Sequence, residues 1–136
     1  MAKIPPGQIQ LESLDLVKAE VERLRHPAEM QPLEIELGFE YQTSFPDDSH
    51  AIATGTIRIF PREVQAPFRI SVTFEMRASV ALSTDSNTLR EWVQGQAVGL
   101  LIPYFRETVA TLSGRTGYPT LLLPPLNYQT LLNLQP

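Results

Sequence analysis

A chain of 136 residues with 43% hydrophobic and 19% charged residues has the composition of one globular domain with a modest core, spanning residues 1–136. The formal net charge of -4 argues against the basic surface that sequence-independent nucleic-acid binding needs, so we expect no nucleic-acid partner. The chain has no cysteine, which excludes disulfide bonds and thiolate zinc sites.

The sequence carries no apolar signal core behind Lys3, and its longest apolar run, residues 97–105, is too short for a membrane helix. Such a helix needs about 20 apolar residues. We therefore expect a cytoplasmic protein without membrane insertion.

The first segment, residues 9–24, fits two kinds of element. Residues with the spacing of a helix face are Leu14, Val17, Val21 and Leu24. Val17, Ala19 and Val21 also alternate as they would in a strand. The local pattern by itself leans slightly towards a helix.

Three later segments alternate with the period of two that is typical of half-buried strands. Their apolar residues are Leu33, Ile35, Leu37, Phe39 and Tyr41 in the first, Ile52, Ile57 and Ile59 in the second, and Phe68, Ile70, Val72, Phe74, Met76, Ala78, Val80 and Leu82 in the third. Residues 46–49 predict a hairpin turn between the first two, because Asp and Ser side chains bond back to a turn backbone. Gly55 suggests a β-bulge.

After Ser83 the pattern changes to helices. Residues 87–94 predict a short helix, and a second helix is expected from about residue 95 to residue 114. Because the ring of Pro103 collides with the carbonyl four residues earlier, the pattern predicts either a kink there or a true helix start near that proline.

The second helix is apolar on every side between residues 97 and 105, so all of its faces must be covered. One antiparallel sheet covers one side only. We therefore predict an oligomer with this helix at the interface. The order of strands followed by helices indicates an α+β fold, with helices packed on one face of an antiparallel sheet.

Signals for catalysis are weak. The two histidines, His26 and His50, have no metal-ligand spacing, and the chain contains no nucleophile elbow, phosphate loop or dinucleotide fingerprint. Arg106 and Glu107 could form a catalytic pair, but a structural polar contact explains them better. We expect no enzyme activity, no metal and no cofactor.

The last third of the chain has no charged side chain from Thr116 to Pro136 but is rich in leucine and proline. Residues 100–107 read LLIPYFRE, and residues 115–128 read RTGYPTLLLPPLNY. Both stretches resemble the SecB family of protein-export chaperones. Since that family opens with a strand, the resemblance makes residues 9–24 a bulged strand.

The resemblance implies a four-stranded antiparallel sheet with strands at about residues 9–83, followed by a long helix and a short C-terminal helix within about residues 87–134. It implies a homotetramer, a dimer of dimers assembled through the long helix. It also implies an ATP-independent holdase that binds unfolded polypeptides, including precursors for export and translocation, and that has SecA as a possible partner.

The same resemblance supplies three sets of candidate site residues. Those for client binding are Phe60, Phe68, Phe74, Tyr118, Leu121, Leu123, Leu126, Tyr128, Leu131 and Leu132. Those for the oligomer interface are Leu101, Ile102, Tyr104, Phe105, Arg106 and Val109. Those for SecA docking are Asp15, Glu20 and Glu22. Asn127 is suited to cap the last helix. For the three phenylalanines, burial preference favours ordinary core packing over groove lining.

Two other functions stay open. One is a chaperone or adaptor of this fold that serves a single partner, such as an antitoxin. The other is an enzyme or small-ligand binder, which a convergent cluster of polar groups in a cavity would favour.

Overall fold

Four antiparallel strands form one sheet in the computed structural model, which describes residues 9–29, 34–61 and 65–135. The strands are β1 (Ile9–Arg23), β2 (Leu37–Asp47), β3 (His50–Ile59) and β4 (Phe68–Val80), in the spatial order β1-β4-β3-β2. β1 and β2 are therefore the two edge strands. The connection between them crosses from one edge of the sheet to the other.

The helices follow the strands in the chain. They are α1 (Ser86–Val93), α2 (Ile102–Gly114) and α3 (Tyr128–Asn133), with short 3-10 turns at Pro27–Glu29, Ser83–Asp85 and Gln96–Leu101. This α+β arrangement confirms the predicted fold class. The second predicted helix begins as a 3-10 turn, and its α-helical part starts beside Pro103. Proline is tolerated in a first turn because it lacks an N–H that would be unpaired there anyway.

β1 is a bulged strand, as the resemblance implied. Its pairing with β4 shifts register between Leu11 and Ser13 and again between Leu16 and Lys18. At each shift β1 has one extra residue without a partner on β4. The alternation of its side chains between the two faces of the sheet is therefore displaced by one position. The hairpin between β2 and β3 was also predicted, and the N–H of Ser49 donates to the Asp47 side chain at 2.8 Å.

The two faces of the sheet differ in polarity. The buried side chains of β4 alternate along the strand and face the helices: Phe68, Ile70, Val72, Phe74, Met76, Ala78 and Val80. The intervening residues of β4 face away from the helices and are mostly polar. This alternation places one face of the sheet in the core and leaves the other to solvent.

The core has two parts, one between the sheet and α1 and one between the sheet and α2. Under α1 the strands contribute small side chains such as Ala51, Ala53 and Ala78, which pack against Leu89 and Val93. Under α2 the contributors are larger: Phe39, Ile57, Ile59, Val72, Phe74, Leu101, Phe105 and Val109.

Gly55 does not form a bulge, so that prediction is wrong. It pairs in regular register with Tyr41 on one side and Phe74 on the other. Its missing side chain instead makes room for Leu101, which covers it from the helical layer.

Candidate polypeptide-binding site

The charge-free C-terminal segment lies across the helix-covered face of the sheet; we call residues 116–127 the arm. Its start is fixed by two hydroxyl groups. Thr116 Oγ1 donates to the Ser113 carbonyl at 2.6 Å, and Ser113 Oγ accepts the N–H of Leu121 at 2.8 Å. Both side chains are buried. The arm is therefore attached to the end of α2 by uncharged hydrogen bonds.

A second attachment joins the arm to the connection that follows β1. Tyr118 donates its hydroxyl hydrogen to the Arg25 carbonyl at 2.9 Å, and Arg23 Nη1 donates to the Thr116 carbonyl at 3.3 Å. Gly117 makes the turn between these contacts with a φ of 92°, a conformation that favours glycine. Residues 23–25 and the arm thus form one wall.

Aromatic rings fill the space behind this wall. Phe60 and Phe68 meet edge to face with ring centroids 5.6 Å apart, and Phe68 meets Tyr118 in the same way at 5.5 Å. Phe60 leaves β3 with a φ of 55°, which is uncommon for a residue with a side chain. Its ring is nevertheless buried, so the surrounding packing holds the strained backbone in place.

α3 ends the described chain and starts with the predicted cap. Asn127 Oδ1 accepts the Thr130 N–H at 2.8 Å. This bond satisfies one of the N–H groups that a helix start leaves unpaired. Leu131 is fully buried and anchors the helix in the core.

The structure divides the ten candidate client-binding residues into two groups. Five are buried core residues: Phe60, Phe68, Phe74, Leu123 and Leu131. The other five are half-buried and pack on the rim of the core: Tyr118, Leu121, Leu126, Tyr128 and Leu132. The buried five contribute to the core of the single chain, and their role in client binding stays a prediction.

The most exposed leucine of the arm was missed. Leu122 is 70% exposed, whereas Leu123 beside it is buried. Three leucines in a row offer no local signal of which one points outwards.

An open groove of about 500 Å³ runs beside the β2 edge. Its apolar wall consists of Leu37, Phe39, Pro61 and Leu134. Two charged residues, Glu40 and Arg58, line the opposite side and form an ion pair with each other at 2.9 Å. None of the groove-lining residues was chosen as a site candidate from the sequence.

Tyr41 fixes the position of β2 next to this groove. Its hydroxyl donates to the Val93 carbonyl at 2.5 Å, and burial raises its pKa well above the ordinary value. Its backbone N–H donates in the other direction, to Gln135 Oε1 at 3.1 Å. The strand is thus tied to α1 by its side chain and to the end of α3 by its backbone.

The predicted interface residues, on α2 and at Leu101 just before it, also fall into two groups. Leu101, Phe105 and Val109 are buried against the sheet and contribute to the core of the single chain, and their role at an interface stays a prediction. Tyr104 and Arg106 are exposed, and Ile102 is half-buried. The Tyr104 ring packs on Phe74 with centroids 5.6 Å apart.

Edge strand β1 exposes apolar side chains as well. Leu11, Leu16, Val17 and Val21 are 42%, 52%, 59% and 37% exposed. Leu16 is paired with Phe74, the residue on which Tyr104 packs. Exposed parts of β1 and α2 therefore adjoin and form one apolar strip, defined here as Leu11, Leu16, Val21 and Tyr104.

Asp15, Glu20 and Glu22 are all exposed on β1. They pair with Glu75, Ser71 and Arg69 of β4, so they lie on the polar face of the sheet, away from the helices. Lys18 forms an exposed ion pair with Glu20 at 3.3 Å.

The described ranges contain neither a cluster of metal ligands nor a helix that could span a membrane. No group of three or more His, Asp or Glu residues there is arranged to hold a metal ion. None of the helices in those ranges is long and apolar enough to span a bilayer. His50 instead bonds to Asp47 through Nδ1 at 2.8 Å, and this contact raises the pKa of His50 and lowers that of Asp47.

Solved structures share this arrangement of sheet and helices. The chain is similar to the Mycobacterium tuberculosis SecB-like chaperone Rv1957, whose structure is a complex with a ChAD peptide from the Rv1956 HigA1 antitoxin. The two are 24% identical and superpose with a TM-score of 0.70 over 88% of this chain and 91% of that one. The fold is therefore SecB-like, as the resemblance in the last third of the sequence predicted.

A protein of unknown function from Streptococcus agalactiae covers 87% of this chain and 98% of its own, with 12% identity and a TM-score of 0.49. We draw no argument from so low a score. No family model matches the sequence, and no curated protein matches it.

Proposed function

We propose that this protein is an ATP-independent chaperone that binds unfolded or extended polypeptides and has no catalytic role. The observation that carries the proposal is the charge-free arm. It leaves Leu122 exposed and three further side chains, Tyr118, Leu121 and Leu126, half-buried. A chain that needed these residues only for its own core would bury them.

Unfolded polypeptides share two properties, apolar side chains and unpaired backbone groups. A protein that binds many of them needs an apolar surface and, where possible, a strand edge. The arm supplies the first and the β2 edge beside the groove supplies the second. Weak sites of this kind gain strength when several of them engage one long client.

We further propose that the protein assembles as a homo-oligomer, a dimer of dimers, through the apolar strip on β1 and α2. Leu16 and Tyr104 lie on either side of Phe74 and are about half exposed in the single chain. A second copy that covered this strip would remove it from water. It would also bring several grooves into one particle.

The range of clients separates two forms of this function. A general chaperone would accept precursors for export in the cytoplasm and hand them to SecA, for which Asp15, Glu20 and Glu22 are the docking candidates. A dedicated chaperone would serve one partner. The antitoxin peptide bound to the similar Mycobacterium tuberculosis protein favours the dedicated form as the second candidate.

A small-ligand binder is less well supported. The charged groups lining the groove, Glu40 and Arg58, already pair with each other. They offer no convergent set of polar groups for orienting a small substrate.

The test compares two variants whose substituted positions are exposed to a similar extent. Leu122→Asp places a charge on the arm at a 70% exposed position, and Leu82→Asp does the same at a 62% exposed position beyond β4. Both should fold, because neither side chain is in the core. The assay is the suppression of aggregation of three unrelated, chemically denatured proteins.

We expect Leu122→Asp to lose most of the suppression and Leu82→Asp to keep it. Suppression of all three clients by the unaltered protein supports the general form, whereas suppression of none, with tight binding of one natural partner, supports the dedicated form. Full activity of a folded Leu122→Asp variant would remove the arm from the proposed client surface.

A further inference from the structure

A side chain just beyond α3 forms a hydrogen bond with the outer edge of β2. Gln135 Oε1 accepts the backbone N–H of Tyr41 at 3.1 Å. β2 is an edge strand, so this N–H points away from the sheet. An amide oxygen in that place takes the position that the carbonyl of a neighbouring strand would occupy.

The register of the hairpin shows which backbone groups share this direction. The carbonyl of Glu36 accepts from the N–H of Phe60 and so points towards β3. Backbone groups alternate in direction from one residue to the next along a strand. The groups of Phe39, Tyr41 and Thr43 therefore point outwards together, and Gln135 bonds to the middle one.

The open groove adjoins the same stretch of β2. Leu37 and Phe39 belong to the strand, and Leu134 belongs to the end of α3. A segment paired with the outer edge of β2 would place every second side chain on the helix-covered face, against these apolar residues. The remaining side chains would point to the solvent face, where Glu40 pairs with Arg58.

Few contacts hold the last residues against β2. α3 has only six residues, and its buried anchor, Leu131, lies in its middle. Leu134 is half-buried and Gln135 is exposed. The stretch that carries Gln135 can therefore move without uncovering Leu131.

We propose that Gln135 is a displaceable substitute for a client strand, and that an extended segment with apolar side chains at alternate positions pairs with β2 in its place. This inference rests on the proposed function and adds the class of segment and the contact that competes with it. Binding exchanges an internal hydrogen bond for a row of bonds to the client backbone. The outer edge is meanwhile protected from pairing with other chains.

Two substitutions separate the hydrogen bond from the size of the side chain. Gln135→Met keeps the length but removes the acceptor, and Gln135→Glu keeps an oxygen in the same place. The Tyr41 amide should exchange its hydrogen faster in Gln135→Met than in the unaltered protein. The exchange rate of the Gln42 amide, which faces β3, should not change. Gln135→Glu should retain the protection at Tyr41.

The binding probe is a fluorescein-labelled eight-residue peptide of alternating Thr and Leu. We expect Gln135→Met to bind it about 2- to 10-fold more tightly than the unaltered protein, which is the worth of one hydrogen bond. Gln135→Glu should bind no more tightly than the unaltered protein.

Two methylated peptides test the backbone pairing. In an antiparallel pair the Leu residues that face the groove also direct their N–H groups at β2. N-methylation of the Leu residues should therefore abolish binding, and N-methylation of the Thr residues should leave it.

Equal binding of the two methylated peptides would overturn the inference. So would a Gln135→Met variant in which the Tyr41 amide exchanges faster but the affinity for the labelled peptide is unchanged. In both cases the aggregation assay decides the proposed function separately. A protein that suppresses aggregation while failing these tests keeps its chaperone role and loses only the β2 pairing.

Discussion

Leu101 packs directly on Gly55, so closely that an ideal Cβ atom on Gly55 would lie 2.7 Å from the Leu101 Cδ1 atom. Phe105 and Phe39 stand 3.5 Å from the same point, so a Cβ atom there would be surrounded by side chains and Leu101 would have to shift. The absence of a side chain at this position in β3 sets how near α2 can approach the sheet.

Gly55→Ala should therefore destabilise the protein by about 1–3 kcal/mol, the usual cost of overpacking a core. Gly38→Ala is the matched control, since Gly38 also lies in a strand but its Cβ would meet Pro61 at an ordinary 3.4 Å. Urea unfolding followed by circular dichroism measures both. Equal stability of the two variants would show that α2 can shift to accept the methyl group.

Asn127→Ala should loosen α3, because the Thr130 N–H then loses its acceptor. Loss of such a cap costs about 1 kcal/mol. Asn133→Ala, at the exposed end of the same helix, removes the same side chain without touching the cap. Hydrogen exchange of the α3 amides should be faster in the first variant only. Similar exchange in the two would mean that Leu131 alone holds the helix.

The contact between Asp47 and His50 gives a pH-dependent link in the β2–β3 turn. The hydrogen bond between the two side chains is the main reason why the pKa of His50 is raised. The same bond is the main reason why the pKa of Asp47 is lowered. The raised His50 pKa adds stability that is complete below about pH 6.5 and is lost as pH rises through the folded-state value. The lowered Asp47 pKa adds stability above about pH 4 that is lost as pH falls. The link is thus strongest between these two values.

Asp47→Asn should return the pKa of His50 towards its ordinary value, because the neutral amide removes the charge while it can still accept from Ser49. Asp48→Asn changes the adjacent residue, which makes no such bond to His50, and should leave the titration unchanged. NMR titration of the His50 ring protons measures both. An unaltered His50 pKa in Asp47→Asn would contradict the contact.

Leu16→Glu should weaken the proposed self-association. Burial of one leucine side chain contributes about 1.5–3 kcal/mol, so we expect the subunit dissociation constant to rise by at least tenfold. Leu82→Glu is the control, since it is exposed to a similar extent on another part of the surface. Light scattering over a dilution series measures the assembly. A protein that is already a single chain at micromolar concentration would refute the oligomer itself.

The fold class, the hairpin and the Asn127 cap could be predicted from residues close together in the sequence. β1 could not be assigned from its own pattern. Its two bulges separate the helix-facing residues Leu11, Leu14, Leu16, Ala19 and Val21 by three, two, three and two positions. Mixed spacings of this kind imitate a helix, so only the resemblance to a known family identified the strand.

Positions that depend on distant partners were beyond local patterns. Gly55 suggested a bulge because its real partner, Leu101, comes from another layer of the fold. The aromatic candidates Phe60, Phe68 and Phe74 could have been core or binding residues, since both roles require the same side chain. Likewise, an apolar helix face does not reveal whether a sheet or another subunit covers it.

Because the arm itself carries no charged side chain, temperature and salt should affect its attachment to the rest of the fold differently. Most of the contacts that hold it come from serine and threonine hydroxyls and from leucine side chains, on which screening by salt does not act, whereas Arg23 adds a charged contact to the Thr116 carbonyl. Cooling weakens apolar contacts, whereas excluded salts such as sulfate strengthen them. Cooling should therefore loosen the apolar contacts of the arm, whereas moderate sodium chloride should act mainly on its contact with Arg23.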